Sequence, residues 1–222
     1  MRRVLLAAMA GLLIVALDTA AMAQGSKLAV GPMIGLDFAT WGGSDAGGVG
    51  SRTGYVAGGF LSVPLGQLFW IRPEAYFAQK GWEQVEQGVT VTFKTDYIEV
   101  PVLVGLTIPV QGSGIRPVIY AGPSISFSLG CKVSGEQGGT SVDIDCDDPQ
   151  ITNILGEPIQ ITGTDFGILF GGGLGFPVGP GQLALGVRYN VGLSKILDVT
   201  GSPDVKNRAL SITAEFGFPI GR

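Results

Sequence analysis

Segment 115–130 alternates between two kinds of residue over its whole length, and this pattern limits the possible folds more than any other feature of the chain. Its odd positions through Leu129 are all apolar, whereas its even positions include Arg116, Tyr120, Ser124, Ser126 and Ser128. A period of two predicts a β-strand. The segment is long for a soluble protein, whose strands average about 5 to 6 residues, but a tilted strand crossing a bilayer needs about 9 to 11. It therefore predicts a membrane-crossing strand with lipid on one face and a small polar lumen on the other.

Similar alternation recurs along the rest of the chain. We predict eight strands, at residues 27–40, 53–63, 68–80, 96–109, 115–130, 164–176, 183–194 and 208–220. Short turns alternate with longer connections at 41–52, 81–95, 131–158 and 195–206. The pattern predicts an all-β fold, an eight-stranded antiparallel up-and-down transmembrane β-barrel with short periplasmic turns and longer extracellular loops. The barrel must be closed, because lipid does not tolerate an open sheet edge.

The N-terminus has the features of an export signal. Arg2 and Arg3 precede an uncharged apolar run at 4–17, and Ala21-Met22-Ala23 has the small-x-small pattern of a signal peptidase site. The apolar run is too short for an ordinary membrane-spanning helix. We therefore predict a secretory signal peptide at 1–23 and an outer-membrane β-barrel domain at 24–222. The mature protein would reside in the outer membrane of a Gram-negative cell envelope.

Composition excludes several classes of function. Removal of residues 1–23 takes away Arg2, Arg3 and Asp18, which leaves 12 of 14 basic and 17 of 18 acidic residues. Nucleic acid is an unsuitable partner for such an acidic chain. The chain has no histidine, no phosphate-binding glycine motif between a strand and a helix, and no candidate base for the lumen-facing serines. We expect neither enzymatic activity nor a cofactor.

A set of charged residues falls on the inward face of the predicted strands. Because an unpaired charge in a narrow lumen is costly, we expect these residues to pair and to form a structural plug. Counting from the short turns puts Glu74, Arg188 and Glu215 at similar heights and favours a pair between the last two. The alternative interpretation is a path for protons or ions. The predicted lumen cluster is Asp37, Arg72, Glu74, Glu99, Arg116, Arg188 and Glu215.

The predicted irregular loop 131–158 holds both cysteines and six acidic residues against the single basic residue Lys132. In an exported chain, Cys131 and Cys146 are expected to form a structural disulfide, contributing about 3 kcal/mol in the loop-entropy model. Asp143, Asp145 and Asp147 imitate the start of a calcium loop, but the turn glycine and the final glutamate are missing, so they are weak metal candidates. The default for such a charge run is a solvated external surface. It could touch lipopolysaccharide through shared divalent ions or bind an extracellular protein partner.

Five large aromatic residues are predicted to anchor the barrel at the membrane interface or in its loops. Belts of tryptophan and tyrosine at both membrane surfaces are common in membrane proteins. The predicted anchors are Trp41, Trp70, Trp82, Tyr55 and Tyr97.

Several segments resemble the PorT-like outer-membrane β-barrel family. They are Tyr97-Ile98-Glu99-Val100-Pro101-Val102-Leu103, Arg116-Pro117 with Ala121-Gly122-Pro123, Asp165-Phe166-Gly167 before Gly171-Gly172-Gly173, and Arg188-Tyr189. The resemblance covers nearly the whole mature chain and implies an eight-stranded barrel, with no shared activity. The last strand, ending in Phe216-Gly217-Phe218, resembles the signal read by the barrel-assembly machinery.

Three functional hypotheses are compatible with the sequence. The first is a non-enzymatic outer-membrane barrel whose surface loops serve adhesion, partner binding or envelope integrity. The second is a narrow pore or solute conduit. The third is a soluble, lipocalin-like ligand-binding barrel, which would require the apolar face to point inward.

Overall fold

The computed structural model describes residues 27–112, 114–149, 160–197, 201 and 203–221. The predicted signal peptide at 1–23 and the end of the 131–158 loop lie outside these residues. The described chain forms nine β-strands. They are β1 (Leu28–Gly42), β2 (Gly50–Pro64), β3 (Phe69–Glu86), β4 (Val89–Thr107), β5 (Arg116–Gln137), β6 (Thr140–Asp145), β7 (Thr164–Val178), β8 (Gly181–Gly192) and β9 (Lys206–Ile220).

Eight of these strands close into an antiparallel barrel. The order β4-β3-β2-β1-β9-β8-β7-β5 is completed by pairing between β4 and β5. The first and last barrel strands, β1 and β9, pair from Leu28 with Ile220 to Gly42 with Lys206. The ninth strand, β6, pairs only with the end of β5. The predicted eight-stranded up-and-down barrel is therefore confirmed.

The two faces of the barrel wall have opposite polarity. Ile34, Ile119 and Ile212 are 63%, 53% and 51% exposed on the outside, while charged residues such as Glu99 and Arg188 are buried inside. This arrangement is the reverse of that in a soluble ligand-binding barrel, whose interior is apolar. Apolar residues with large outward exposure occur on every barrel strand, including Leu36, Tyr55, Phe69, Val104, Phe127, Phe166, Ile168, Leu185, Val187 and Leu210.

None of the helical structure among the described residues is long and apolar enough to cross a membrane.

Strands β3, β4 and β5 continue beyond the apolar band and form, with β6, a four-stranded sheet on the long-loop side of the barrel. We call this the extracellular sheet; it comprises residues 81–86, 89–95, 130–137 and 140–145. The register between β4 and β5 shifts by one residue at Leu129, a β-bulge that separates the sheet from the membrane part. The predicted irregular structure of 131–158 is wrong for residues 131–137 and 140–145.

A tight turn explains why this segment is a hairpin. Gly138 and Gly139 link β5 to β6 with φ angles of 57° and 82°. Positive φ at both central residues is typical of the type I′ turn, whose twist matches that of two antiparallel strands. Gln137 and Thr140 pair directly across this turn.

Candidate functional site

Four charged side chains bridge the lumen near its middle, and we call them the arginine cluster: Arg72, Glu74, Arg188 and Glu215. Arg188 donates from Nη1 to Glu74 Oε2 at 2.7 Å and from Nη2 to Glu215 Oε1 at 2.6 Å. Arg72 donates from Nη1 to the second oxygen of Glu215 at 2.7 Å. Two guanidinium groups thus face two carboxylates, and the cluster is neutral. Charge-assisted bonds of this length hold the side chains in fixed positions across the barrel.

Aromatic rings surround both guanidinium groups. The Arg72 guanidinium carbon lies 4.5 Å and 4.4 Å from the ring centroids of Phe60 and Trp70. Arg188 lies 5.6 Å and 5.9 Å from those of Tyr120 and Tyr76. Cations attract the negative faces of such rings, most strongly where water is excluded. The cluster is therefore braced by packing as well as by ion pairs.

A second polar group, the lysine cluster, lies on the extracellular side of the first and comprises Lys80, Tyr76, Glu99 and Asn190. Lys80 Nζ lies 2.6 Å from Glu99 Oε2. Glu99 Oε1 accepts hydrogen bonds from the Tyr76 hydroxyl, at 2.9 Å, and from Asn190 Nδ2. All four side chains are buried. Lys80 was not among the predicted lumen cluster, although its position on the inward face of β3 could have identified it.

Two predicted lumen charges have no ionic partner among the described residues. Asp37 accepts a hydrogen bond from Ser211 Oγ at 2.7 Å, and its other oxygen is buried without a partner. Arg116 lies at the periplasmic end of the barrel and donates a 3.4 Å bond to Gln182 Oε1. Asp165, which was not predicted, is buried and accepts from Asn207 Nδ2 at 2.9 Å. Hydrogen bonding therefore replaces ion pairing at several lumen positions.

Three aromatic residues, the aromatic cap, pack together at the extracellular end of the lumen. The Trp41 ring centroid lies 5.7 Å from that of Trp82 and 4.7 Å from that of Phe93, and the last two rings are stacked 6.2 Å apart. Trp41 pairs across the sheet with the buried lumen residue Asn207, which places both on the inner face. The lumen therefore contains, from the outside inward, an aromatic layer and two charged layers.

The prediction of interface or loop anchors is wrong for Trp70 and Tyr97. Trp70 and Tyr97 are 7% and 0% exposed and face the lumen. Trp41 and Trp82 belong to the aromatic cap. Only Tyr55 lies on the outside, with 48% exposure. Alternation alone could have found these positions, because each tryptophan shares the parity of inward-facing residues on its strand.

The periplasmic end of the lumen holds an open cavity of about 370 Å³. Phe60 and Trp70 form part of its wall, and Arg72 and Glu215 of the arginine cluster form its inner end. Lys27 and Arg116 line it nearer the termini and turns. The short turns between strands lie at this end of the barrel, and in outer-membrane barrels the short turns are on the periplasmic side.

The extracellular hairpin formed by β5 and β6 is closed by the disulfide between Cys131 and Cys146, whose Cα atoms are 5.5 Å apart. Asp143 and Asp145 lie on strand β6, so these residues are extended and do not form a calcium loop. Asp145 pairs with Lys132 at 3.4 Å. Within the described residues, no group of three or more acidic, cysteine or histidine side chains is arranged to hold a metal ion. The candidate site of Asp143, Asp145 and Asp147 is therefore not assembled.

Two other extracellular loops are tied together at Asp45 and Asp204. The Asp204 amide donates to Asp45 Oδ2 at 2.7 Å, and the Ser44 amide donates to Asp204 Oδ2 at 3.4 Å. Lys206 Nζ lies 3.0 Å from Asp204 Oδ1. The hydrogen bonds from Lys206 and from the Ser44 amide lower the pKa of Asp204 below its ordinary value. These bonds join the loop residues Ser44 and Asp45 to Asp204 and Lys206.

The chain has matches among solved structures and to one family model. Among solved structures, Neisserial surface protein A (NspA) is 16% identical, with 86% of this chain and 97% of that chain covered and a TM-score of 0.48. OprG from Pseudomonas aeruginosa is 8% identical, with 88% and 96% covered and a TM-score of 0.49. Ail, the attachment invasion locus protein of Yersinia pestis, is 15% identical, with 86% and 99% covered and a TM-score of 0.43. No curated protein matches the chain. The model of the outer membrane protein beta-barrel domain matches residues 22–198, so the chain belongs to that family and is an outer-membrane β-barrel protein.

Proposed function

We propose that this barrel is a non-enzymatic scaffold and that it binds a partner protein through the free edge of its extracellular sheet. The partner would add an extended, basic segment alongside β6. The single observation that carries the proposal is this edge strand, which pairs with β5 on one side and with no other strand of the described chain. Addition of a strand to an exposed sheet edge is a common mode of peptide recognition.

The register identifies which backbone groups a partner would meet. The Cys146 amide donates to the Cys131 carbonyl at 3.1 Å, and Lys132 pairs with Asp145 one position further along. In an antiparallel pair, hydrogen-bonded and non-hydrogen-bonded positions alternate. Even-numbered residues of β6 therefore bond to β5, while Ser141, Asp143 and Asp145 direct their N–H and C=O groups away from it. The Asp145 carbonyl accepts the Asp148 amide at 3.0 Å, so a partner strand would bond to Ser141, to Asp143 and to the Asp145 amide.

Charge gives the edge a preference for basic partners. Asp143 and Asp145 are exposed on β6 and alternate with Val142 and Ile144 along the strand. Asp147 follows directly after the disulfide and is also exposed, whereas Lys132 is the only basic residue of the hairpin. Complementary charge steers association and selects among partners. The disulfide would favour binding by holding the hairpin in one conformation before the partner arrives.

The contents of the lumen support a scaffold and argue against the alternative of a pore. The arginine cluster crosses the lumen with bonds of 2.6 to 2.7 Å, and the aromatic cap packs above it. Lumen serines are engaged in similar networks; Ser124 Oγ accepts from Asn190 Nδ2 at 3.3 Å. The interior of an eight-stranded barrel can be filled by its own side chains and leaves room for at most one small ligand. These groups hold one another in place, as expected of a structural filling.

The test compares two substitutions at one position of the mature barrel in detergent micelles. Asp143→Asn removes the charge and keeps the outward N–H, whereas Asp143→Pro removes both; neither removes a bond to β5, because position 143 faces the free edge. The probe is a synthetic peptide of alternating lysine and threonine, followed by fluorescence anisotropy. We expect Asp143→Asn to weaken binding a few-fold and Asp143→Pro to abolish it.

Two controls make this test decisive. Thiol titration must find no free cysteine in either variant, which shows that the hairpin is closed, and a glutamate-threonine peptide must fail to bind. Equal affinity of the two variants would contradict strand addition, and so would failure of the wild type to bind the basic peptide. Discrete openings in a planar bilayer would instead support the pore.

Three further assignments are part of this proposal. The first is membership of the PorT-like family. Tyr97, Glu99 and Arg188 lie in the segments that resemble this family, and all three make buried hydrogen bonds in the lumen. An alignment of homologues that keeps these three residues would support membership of this family.

The second assignment is recognition by the barrel-assembly machinery, which is supported by Phe216 and Phe218 of β9. The third is contact with lipopolysaccharide, which is supported by the position of the extracellular rim above the apolar band.

A further inference from the structure

The periplasmic cavity of the lumen is built like a small-molecule site. Its volume of about 370 Å³ falls within the range of about 300 to 1,000 Å³ that is usual for ligand pockets. Such pockets combine apolar and aromatic walls with a few converging polar groups. Here Phe60, Trp70 and Val118 supply the apolar wall, and Arg72, Arg116 and Ser62 supply polar groups.

We propose that this cavity binds a small organic anion, carrying a carboxylate or phosphate group, from the periplasmic side. Among the described lining residues, Lys27, Arg72 and Arg116 are basic and only Glu215 is acidic. Glu215 is already bonded to Arg72 and Arg188, so its charge is neutralised within the arginine cluster. Because the arginine cluster as a whole is neutral, the positive charge of the cavity comes from Lys27 and Arg116.

Arg72 is the anchoring group of the proposed site. Its guanidinium lies between the rings of Phe60 and Trp70, at 4.5 Å and 4.4 Å from their centroids. Only Nη1 is committed to Glu215, and Nε is buried without a hydrogen-bond partner among the described residues. A guanidinium stacked between aromatic rings suits the recognition of carboxylate and phosphate oxygens, and because Nε is buried, a ligand would meet the Nη side of the group.

The wall around this arginine depends on glycines that leave room for larger neighbours. A Cβ at Gly105 would lie 2.0 Å from Trp70 Cζ2, and one at Gly175 would lie 2.1 Å from Gln182 Nε2. Both neighbours line the cavity. Gly217 also lines it, but a Cβ there would meet its nearest atom, in Phe60, only at 3.6 Å. The space beside Gly217 is therefore open and available to a ligand.

The cavity ends inside the barrel. Its inner end is Arg72 and Glu215, and Arg188 and Glu74 continue the cluster beyond them. A ligand would therefore enter and leave by the periplasmic opening, and the cavity would work as a receptor site. This proposal is independent of the extracellular sheet, which lies at the opposite end of the barrel, so failure of either leaves the other standing.

The test uses the three tryptophans of the chain as reporters in the mature barrel in detergent micelles. Their indole N–H signals in a ¹⁵N spectrum are assigned with Trp70→Phe. The probes are inorganic phosphate, butyrate and, as a size-matched cation, butylammonium. We expect an anion to shift the Trp70 signal in a saturable way, while Trp41 and Trp82 at the opposite end stay unchanged. Response to phosphate alone identifies a phosphate-bearing ligand, and response to butyrate alone identifies a carboxylate.

Two variants separate charge from shape. Arg116→Gln removes an exposed charge at the cavity without touching the arginine cluster, and Gly217→Val fills the cavity without removing a charge. Each is expected to weaken anion binding roughly tenfold or more, about 1.4 kcal/mol or more, whereas Lys132→Gln on the external hairpin is the matched control and should have no effect. The proposal is overturned if neither anion shifts Trp70, if butylammonium shifts it equally, or if both cavity variants bind as well as the wild type.

Discussion

Arg188 Nη1 donates a 2.7 Å hydrogen bond to Glu74 Oε2 across the lumen, although 114 residues separate the two in sequence. Arg188 lies on β8 and Glu74 on β3, which are not neighbours in the sheet. The contact exists only because the sheet is closed. The same guanidinium also binds Glu215, so one side chain joins three strands of the barrel.

Removal of Arg188 should therefore destabilise the barrel strongly. Arg188→Met preserves much of the side-chain volume but leaves Glu74 and Glu215 buried with fewer partners. Breaking a buried ion pair in this way typically costs about 3 to 5 kcal/mol. Reversible urea unfolding of the barrel in lipid vesicles measures the loss. Lys132→Gln, which breaks an exposed pair, is the control and should cost less than about 1 kcal/mol; equal losses in the two variants would contradict a structural role for the cluster.

Lys80 and Glu99 should behave as an energetically coupled pair. Their 2.6 Å contact is fully buried, so either Lys80→Met or Glu99→Gln alone leaves an isolated charge in the lumen. The double variant leaves no isolated charge. Its loss in free energy of unfolding should therefore be smaller than the sum of the losses in the two single variants. A double-mutant cycle in the same unfolding assay should give a coupling free energy above about 1 kcal/mol. Simple additivity would show that the two charges do not depend on each other.

The barrel itself could be predicted from the sequence because its determinants are local. Alternation along β1, β5 and β7 fixes which residues meet lipid, and the lengths of the connections fix the direction of the loops. The contact of Arg188 with Glu215 could also be predicted, since β8 and β9 are adjacent in sequence. These inferences need only parity and residue counting.

Other features depend on information that alternation does not contain. The partner of Lys80 is Glu99, but the residue directly opposite Lys80 on β4 is Thr95; the ion pair is diagonal and depends on side-chain reach. Glu74 meets Arg188 only through barrel closure. In the β6 hairpin Val142 and Ile144 alternate with Asp143 and Asp145, but this alternation is too short to indicate a membrane-crossing strand, and the other local marker is the Gly138-Gly139 turn.

Replacing Gly105 with a larger residue should destabilise the barrel, because the Trp70 ring packs directly over this position. A Cβ at this position would lie 2.0 Å from Trp70 Cζ2, and the rigid indole could yield only by shifting as a whole and disturbing its packing on Arg72. Gly105→Ala should cost about 1 to 3 kcal/mol through overpacking and should shift the Trp70 fluorescence. Gly217→Ala is the matched control, because its Cβ would make an ordinary 3.6 Å contact with Phe60. A neutral Gly105→Ala would show that the indole does not occupy this place.

The junction of the extracellular loops at Asp204 should loosen only in strong acid. Bonds from Lys206 and from the Ser44 amide lower the pKa of Asp204 below its ordinary value of 3.8. A carboxylate whose pKa is lower in the folded than in the unfolded state stabilises the folded arrangement at pH values above its unfolded-state pKa. This contribution is lost as the pH falls through the folded-state pKa. The Ser44 amide shift should therefore titrate with a midpoint below 3.8, and Asp204→Asn should abolish the transition. A midpoint at or above 3.8 would contradict the contact.

The most direct test of a closed lumen, on which the scaffold function rests, is single-channel recording in a planar bilayer. The mature barrel, refolded and shown to be heat-modifiable on gels, is inserted in 1 M salt so that even a narrow path gives a resolvable current. We expect a silent membrane, because the arginine cluster and the aromatic cap fill the lumen. Discrete, stepwise openings from the wild-type protein would contradict this account.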